Sequence, residues 1–278
     1  MRRALVHHGS ATDVGRVRAV NEDAHLAEPP IFVVADGMGG HDGGDIASDI
    51  VIQEFARLAR TGEEQRSFDA ETGAAAMSAA LDAAQQRITA YAAEQRARGS
   101  QDYTSGTTTA AALLVDGPGE PQWLLLNLGD SRIYRFAEGT LSQVSVDHSL
   151  VQEMVDAGRL TREQAERHPD RNVITRALGG LIPAVPDFFA LTLVPGSRLL
   201  LCSDGVSGMI SDAGIAEILG QRTDARDTAQ RLVAAAVAAG GRDNATAVVI
   251  DVVGLTDEFP YDAARERASL EQKLGVLP

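Results

Sequence analysis

Four aspartates stand where strands meet loops. Asp36 closes the apolar run "IFVVA" (31–35), and "GMGG" follows it. Asp204 ends "LLLCSDG", Asp130 ends "LLLNLGD", and Asp243 in "GGRDNATAVV" comes just before a strand. Strand ends in a packed sheet are rigid and can hold carboxylates in fixed relative positions. Carboxylates brought together repel unless protons or cations lie between them. Hard divalent ions such as Mg2+ and Mn2+ take oxygen ligands. Gly37 has no side chain to keep its carbonyl from an ion. A zinc site is not indicated, since there is neither a Cys pair nor an HExxH motif. Asp-Gly after a strand is also an ordinary turn dipeptide. Spacing alone therefore leads to an oxygen-ligand metal site as one option and to plain turns as the other.

The elements that must carry these acids are short strands alternating with helices. Apolar runs predict strands at 31–35, 107–115, 122–129, 131–139, 187–194, 197–203 and 245–253. Helical spacing predicts helices at 43–60, 69–99, 149–160 and 224–240. Thr161 and Gln164 form a capping-box pair opening another at 161–168. The segments 122–129 and 131–139 read as a strand pair. The pattern fits an α+β protein, with antiparallel sheets covered by helices on their outer faces. No repeat or linker splits residues 1–255, so they read as one domain. Residues 256–278 read as a charged, weakly amphipathic helical tail after Pro260.

Composition narrows the partners. The chain has 278 residues, 44% of them apolar, and a net charge of −14. That balance argues against nucleic acid as the main partner, because phosphate backbones select basic surface. Cys202 is the single cysteine, so no disulfide framework exists and a cytoplasmic setting is expected. Within an apolar strand it reads as packing. The start "MRRALVHHGS" has no apolar core of a signal peptide, and no apolar run approaches the ~18 residues of a membrane span. No membrane association and a monomer are the expectation.

A series of motifs, in order, carries a more specific reading: "GRVRAVNEDAH" (15–25), "VVADGMGGHDGGDIAS" (33–48), "TSGTTTA" (104–110), "LGDSRIYRF" (128–136), "VDHSLV" (146–151), "RNVITRALGG" (171–180), "LLLCSDGVSGMI" (199–210) and "GRDNATAVVI" (241–250). Together they closely resemble the protein phosphatase 2C family, the metal-dependent serine/threonine phosphatases, in its bacterial branch. The resemblance implies two stacked antiparallel sheets flanked by helices, an α/β/β/α sandwich with a metal centre at one end. Two Mn2+ or Mg2+ ions are implied, with a position for a third.

By that resemblance Asp36 matches the ligand shared by both ions, and Gly37 the backbone carbonyl ligand. Asp204 and Asp243 match the remaining carboxylate ligands, and Asp130 with Asp204 the third-metal position. Glu22 and Asp23 match the acidic pair that orients the site through metal-bound water. Asn244 matches a supporting residue, and Arg18 the arginine that grips the substrate phosphate. The implied reaction is hydrolysis of phosphoserine and phosphothreonine in proteins, by direct attack of a water bridging the metals. The implied partners are phosphorylated proteins and a bacterial Ser/Thr kinase whose action it reverses. Met38 replaces the histidine that the animal branch carries, so the leaving oxygen needs another proton source.

Several nearby residues read as structural: His41 as a helix-entry polar group, His148 as loop-ordering, and Ser105, Thr107 and Thr108 as packing or hydrogen bonding near the site. Asp45 stands near a helix start, where an acid is favourable. Arg176 reads as structural, and residues 160–173 cover the family's mobile flap. Two other readings compete. One is a catalytically silent phosphoprotein-binding member, which would ordinarily have lost metal acids; all are present here. The other is a phosphodiesterase or nuclease, against which the acidic balance counts.

Overall fold

The architecture follows from strands that are apolar on both faces. It is described here from a computed structural model covering residues 2–39, 43–65, 68–180, 183–221 and 223–257. One sheet runs in the order β1 (Arg2–Asp13), β11 (Ala245–Asp257), β10 (Arg198–Cys202), β7 (Arg132–Ala137), β8 (Thr140–Gln143). The other runs β2 (Asp23–Glu28), β3 (Ile31–Met38), β5 (Thr109–Asp116), β6 (Pro121–Leu128), β9 (Asp187–Thr192), with the two-residue β4 (Gly106–Thr107) pairing with the end of β3. Every pairing between these strands is antiparallel.

Alternate side chains serve different cores. Ile31, Val33 and Ala35 of β3 pack with Leu124 and Leu126 of β6 under α1 (Gly44–Gln65) and α2 (Ala70–Ala97). Their neighbours Phe32 and Val34 face the other way. They meet Trp123, Leu199, Leu201 and Val248 in a layer between the sheets. On the far side, Leu200, Cys202 and Val249 pack beneath α5 (Asp204–Ser207), α6 (Asp212–Leu219) and α7 (Ala225–Ala238). Each fully buried Leu or Phe contributes about 1.5–3 kcal/mol through water exclusion. Three apolar layers thus sit between four structural ones. This is the α+β sandwich of two stacked antiparallel sheets that the sequence predicts.

Local signals account for the helix ends. Asp69 caps α2: its carboxylate accepts from Thr72 N at 2.7 Å, and Thr72 Oγ1 accepts from Asp69 N at 3.0 Å. Thr161 and Gln164 form the expected reciprocal cap of α4 (Arg162–Glu166). The helix expected at 149–160 is the shorter α3 (Leu150–Asp156), ending before Gly158.

One expectation fails in a consequential way. β6 and β7 do not pair: β6 lies between β5 and β9 in one sheet, and β7 between β10 and β8 in the other. The link Gly129–Asp130–Ser131 crosses from sheet to sheet. Gly129 makes the turn at φ +111°, a conformation costly for any residue with a Cβ. Burial of both faces of β6 leaves no alternation to reveal which sheet it joins. The tail expected at 256–278 and His41 lie outside the described residues, apart from Thr256 and Asp257, which extend β11.

Candidate metal centre

The acids gather where the two sheets meet at one end of the sandwich. On β3 the row facing the other sheet runs Phe32, Val34, Asp36. Asp23 of β2 lies directly opposite Asp36 in the strand register. Like charges placed so are destabilising in a sheet. The second sheet brings Asp204, just past β10, and Asp243, just before β11, and these two strands are hydrogen-bonded neighbours. Asp130 comes from the crossover between the sheets. All five acids thus reach one place from three separate parts of the topology.

Their electrostatics show what the fold imposes. Burial, then the nearby charges of Asp23, Asp204, Asp130 and Asp243, hold the Asp36 carboxyl well above the usual carboxylate range. Burial pushes Asp23 up to about 7, with Asp204 and Asp243 adding to it, although Ser203 Oγ donates to its Oδ2 at 2.7 Å. Burial and the charges of Asp204 and Asp147 push Asp130 up to about 7. Asp204 is raised by burial and then by Asp243, against a hydrogen bond with Asp36 that lowers it. Two carboxyls can share such a bond only if a proton lies between them.

Buried Oδ1 atoms of Asp23 and Asp130 have no hydrogen-bond partner among the described residues. Such orphans are rare and call for a reason. Acceptor oxygens without donors, crowded and desolvated, form a donor set suited to hard divalent cations. Among the described residues no three Asp, Glu, His or Cys side chains already close around one point. A centre in which each ion takes few carboxylates, and completes its shell with a carbonyl and waters, does not require that closure.

The backbone around the acids is tightly fixed. Thr107 Oγ1 donates to Asp36 O at 2.9 Å, and Asp36 N donates to Thr108 Oγ1 at 3.1 Å. Thr108 Oγ1 in turn bonds Ser131 Oγ at 2.7 Å, tying β5 to the crossover. Gly37 N donates to Glu22 O at 3.1 Å. A Cβ on Gly37 would lie 2.2 Å from Gly44 O, so only glycine fits there. Glu22 points its carboxylate at the start of α1, where Gly44 N donates to Oε1 at 3.2 Å and the helix dipole favours an anion. Burial raises its pKa.

Asn244 joins the chain segments. Its Oδ1 accepts from Glu22 N at 2.8 Å, and its Nδ2 donates to Val14 O at 3.0 Å and Val20 O at 2.9 Å. The loop carrying Arg18 is thereby pinned to the start of β11. Arg18 Nη2 donates to Asp243 Oδ2 at 2.8 Å, with the arginine side chain 48% exposed, so its guanidinium lies at the solvent face of the acid cluster. Its pKa is raised by that bond.

Other residues singled out from the sequence are placed as follows. Ser105 Oγ donates to Gly43 O, and no base stands beside Ser105, Thr107 or Thr108 in their hydrogen bonds. His148 Nδ1 accepts from Gly129 N at 3.1 Å, which puts its ring proton on Nε2, toward Asp187 Oδ2 at 3.1 Å. It orders the crossover that bears Asp130. Arg176 binds Asp187 at 3.2 Å. Asp45 sits in the first turn of α1. Burial raises the Cys202 thiol to about 12, which leaves it an inert packing group.

Sequence reasoning missed two supports. Ser203 bonds Asp23 and also accepts from Thr246 N at 3.0 Å. Arg132 grips Asp147 through Nε at 3.0 Å and Nη2 at 2.7 Å, fixing the chain just past Asp130. A lone Ser or Thr gives no sequence signal. The Arg132–Asp147 pair had one, since both fall inside the quoted motifs.

Comparison with known proteins agrees with this geometry. Residues 15–240 match the family model described as protein phosphatase 2C. The serine/threonine protein phosphatase PstP of Mycobacterium tuberculosis (strain CDC 1551 / Oshkosh) is 39% identical over 249 residues, covering 90% of this chain but 45% of that protein. The chain thus spans about half the length of that relative. The serine/threonine phosphatase stp of Listeria innocua serovar 6a is 32% identical over 251 residues, covering 88% of this chain and 96% of its own. Among solved structures, the catalytic domain of PstP in complex with two manganese ions superposes with a TM-score of 0.75 at 36% identity, covering 91% of this chain and 99% of that one. With most of its length matched by the family model and by a relative of nearly equal size, the chain belongs to the protein phosphatase 2C family.

Proposed function

We propose that this chain is a metal-dependent phosphatase that hydrolyses phosphoserine and phosphothreonine in proteins, using two Mn2+ or Mg2+ ions. The observation that carries the proposal is the convergence of Asp36, Asp204 and Asp243 with Asp23 and Asp130, crowded and short of donors, at one end of the sandwich. A relative's catalytic domain with two manganese ions supports the choice of metal. Residues 1–255 would be the catalytic unit.

Asp36 would be shared between the ions, with Gly37 lending its carbonyl and Asp204 and Asp243 completing the protein ligands. Asp130, with Asp204, would serve a third position. When bound, such ions lower the pKa of water and aim it in line at phosphorus. The residues of the chain supply the rest. Glu22 and Asp23 orient water around the centre. Arg18 offers a planar fork to two phosphate oxygens and offsets charge that builds up in the transition state. It already stands at the solvent face, held by Asp243. Asn244 keeps that arginine's loop in register. Met38 has no proton to give, so the leaving serine or threonine oxygen takes its proton from solvent at the centre.

The cognate partner would be a Ser/Thr kinase whose phosphorylation this chain removes, acting as a cytoplasmic monomer. Among the described residues no helix is long and apolar enough to cross a membrane. The silent-binder alternative gains no support, because every acid it would have to lose is in place. The test is turnover of para-nitrophenyl phosphate and of phosphothreonine peptides, with and without Mn2+. Metal-dependent release of phosphate from the peptides is the expected outcome, and none at saturating Mn2+ from a folded sample would end the proposal.

A further inference from the structure

Beside the acid cluster opens a trough of about 740 Å3. That size falls within the range of sites that take a ligand several groups long, about 300–1,000 Å3. It starts at Met38 and Gly39, directly after the Gly37 backbone. One wall is the segment around Ser105, and the other runs through Thr175 and Arg176. Its described lining contains two arginines, Arg96 and Arg176, and no Asp, Glu or Lys. In a chain of net charge −14, a trough with no acid in its described lining, at the mouth of five acids, stands apart from its surroundings.

The two arginines differ in how far they are committed. Arg176 is held by Asp187 and by the carbonyl of Val185. Arg96 lies in the last turn of α2, where a cation also suits the helix dipole. Its Nε donates to Tyr103 O at 3.1 Å, which fixes the stem, while Nη1 and Nη2 have no partner among the described residues. An exposed guanidinium with two free donors over an uncharged floor presents a bidentate site for a carboxylate.

We infer that this trough docks the polypeptide flanking the phosphorylated residue, and that Arg96 makes the chain select substrates with Asp or Glu in that flank. The inference rests on the phosphatase reading and adds a specificity determinant to it. Acidic peptide would otherwise be repelled by the net charge, so a local cation has a large differential effect on it.

The experiment uses three phosphothreonine peptides of equal length: one with acidic residues flanking the phosphothreonine on both sides, one with alanines there, and one with lysines. kcat/KM is measured in Mn2+ at low and high salt for the native chain, Arg96→Gln and Arg96→Glu. Para-nitrophenyl phosphate, which has no flank, serves as control. Binding of the same peptides, fluorescently labelled, is followed by anisotropy, which needs no turnover. The native chain is expected to favour the acidic peptide over the alanine peptide by about twofold to fivefold per engaged carboxylate at low salt, mainly through KM. Arg96→Gln abolishes the preference, and Arg96→Glu reverses it toward lysine. Para-nitrophenyl phosphate turnover stays unchanged in both. Equal kcat/KM for the three peptides, or an acidic preference that survives Arg96→Glu, overturns the inference while leaving the phosphatase reading intact. Peptides that bind in an Arg96-dependent way but are never hydrolysed would instead uphold the trough and remove the phosphatase reading.

Discussion

Two regions of this molecule bury acids, and they do it in opposite ways. On α1, Glu54 is 7% exposed, and Arg57 reaches both its oxygens at 2.7 and 2.9 Å, while Arg87 from α2 adds another bond. Every acceptor is answered, as expected for a buried charge that serves the fold. At the end of the sandwich, Asp23 and Asp36 face each other across a strand pair and Asp130 leaves an oxygen orphaned. The only arginine bonded to those five acids, among the described residues, is Arg18 on the outermost, Asp243. The same chain can thus neutralise a buried carboxylate with its own side chains, and at the strand ends it does not. A site kept short of positive charge gives up stability in isolation, and under the proposed function an ion would restore it.

The comparison breaks most sharply at Asp36. Asp36→Asn should lower turnover by about a thousandfold, the scale of losing a main electrostatic contact to the reacting centre. Yet in metal-free protein its melting temperature should hold or rise, because a desolvated carboxyl crowded by other acids is replaced by a neutral amide. A clear drop in melting temperature would make Asp36 a structural acid like Glu54.

Next in size is the effect of metal and pH on stability. The folded-state pKa values of Asp23 and Asp130, about 7, and of Asp36 and Asp204 lie above the unfolded range near 4. Groups raised in this way bind protons more tightly when folded. For Asp23 and Asp130 that contribution is complete below about pH 4 and is lost as pH rises through about 7, and Asp36 and Asp204 act in the same direction. Metal-free protein should therefore lose stability across that window in denaturant titrations. At pH 8, Mn2+ at 100 times its Kd should add about 2.7 kcal/mol. Stability flat from pH 4 to 8 would show that the acids are too far apart to repel.

Asn244→Ala should cost about 10- to 100-fold in kcat/KM, the range for groups that orient a metal site without touching the substrate. The loss should appear in metal affinity as well, read by calorimetric titration with Mn2+, since Glu22 loses its anchor. The smallest effect is expected at Glu54→Gln. Its arginines are at the surface and can turn to water, so the cost should be about 1–2 kcal/mol of stability. Turnover at saturating metal should not move, which would separate the two kinds of buried acid in one pair of measurements.

The strand-end acids were visible in the sequence because each follows or precedes an apolar run. That they meet was not visible in composition or periodicity, and only the ordered motif series implied it. β1 went unread because as an edge strand it is largely polar, with only Ala4, Val6 and Ala11 as described apolar side chains packed on a core. β2 has one fully buried residue, Leu26, and so gives no alternation to detect. The false pairing of 122–129 with 131–139 came from proximity along the chain, which ordinarily marks a hairpin. Nothing local distinguishes a hairpin from a hop between layers when every side chain of β6 but one is buried. Ser203 and Thr246 were silent for a similar reason: their role exists only once two distant strands lie side by side.

That hop has a further outcome. Because Asp23 and Asp36 belong to one sheet, Asp204 and Asp243 flank strands of the other, and Asp130 bridges them, the gap across the acid cluster is set by the thickness of the apolar filling behind it. Trimming Trp123 or Leu201 in the layer between the sheets would let the layers settle closer and change the bite of the cleft. The grease between the sheets is in this sense the calliper of the acid-bearing end.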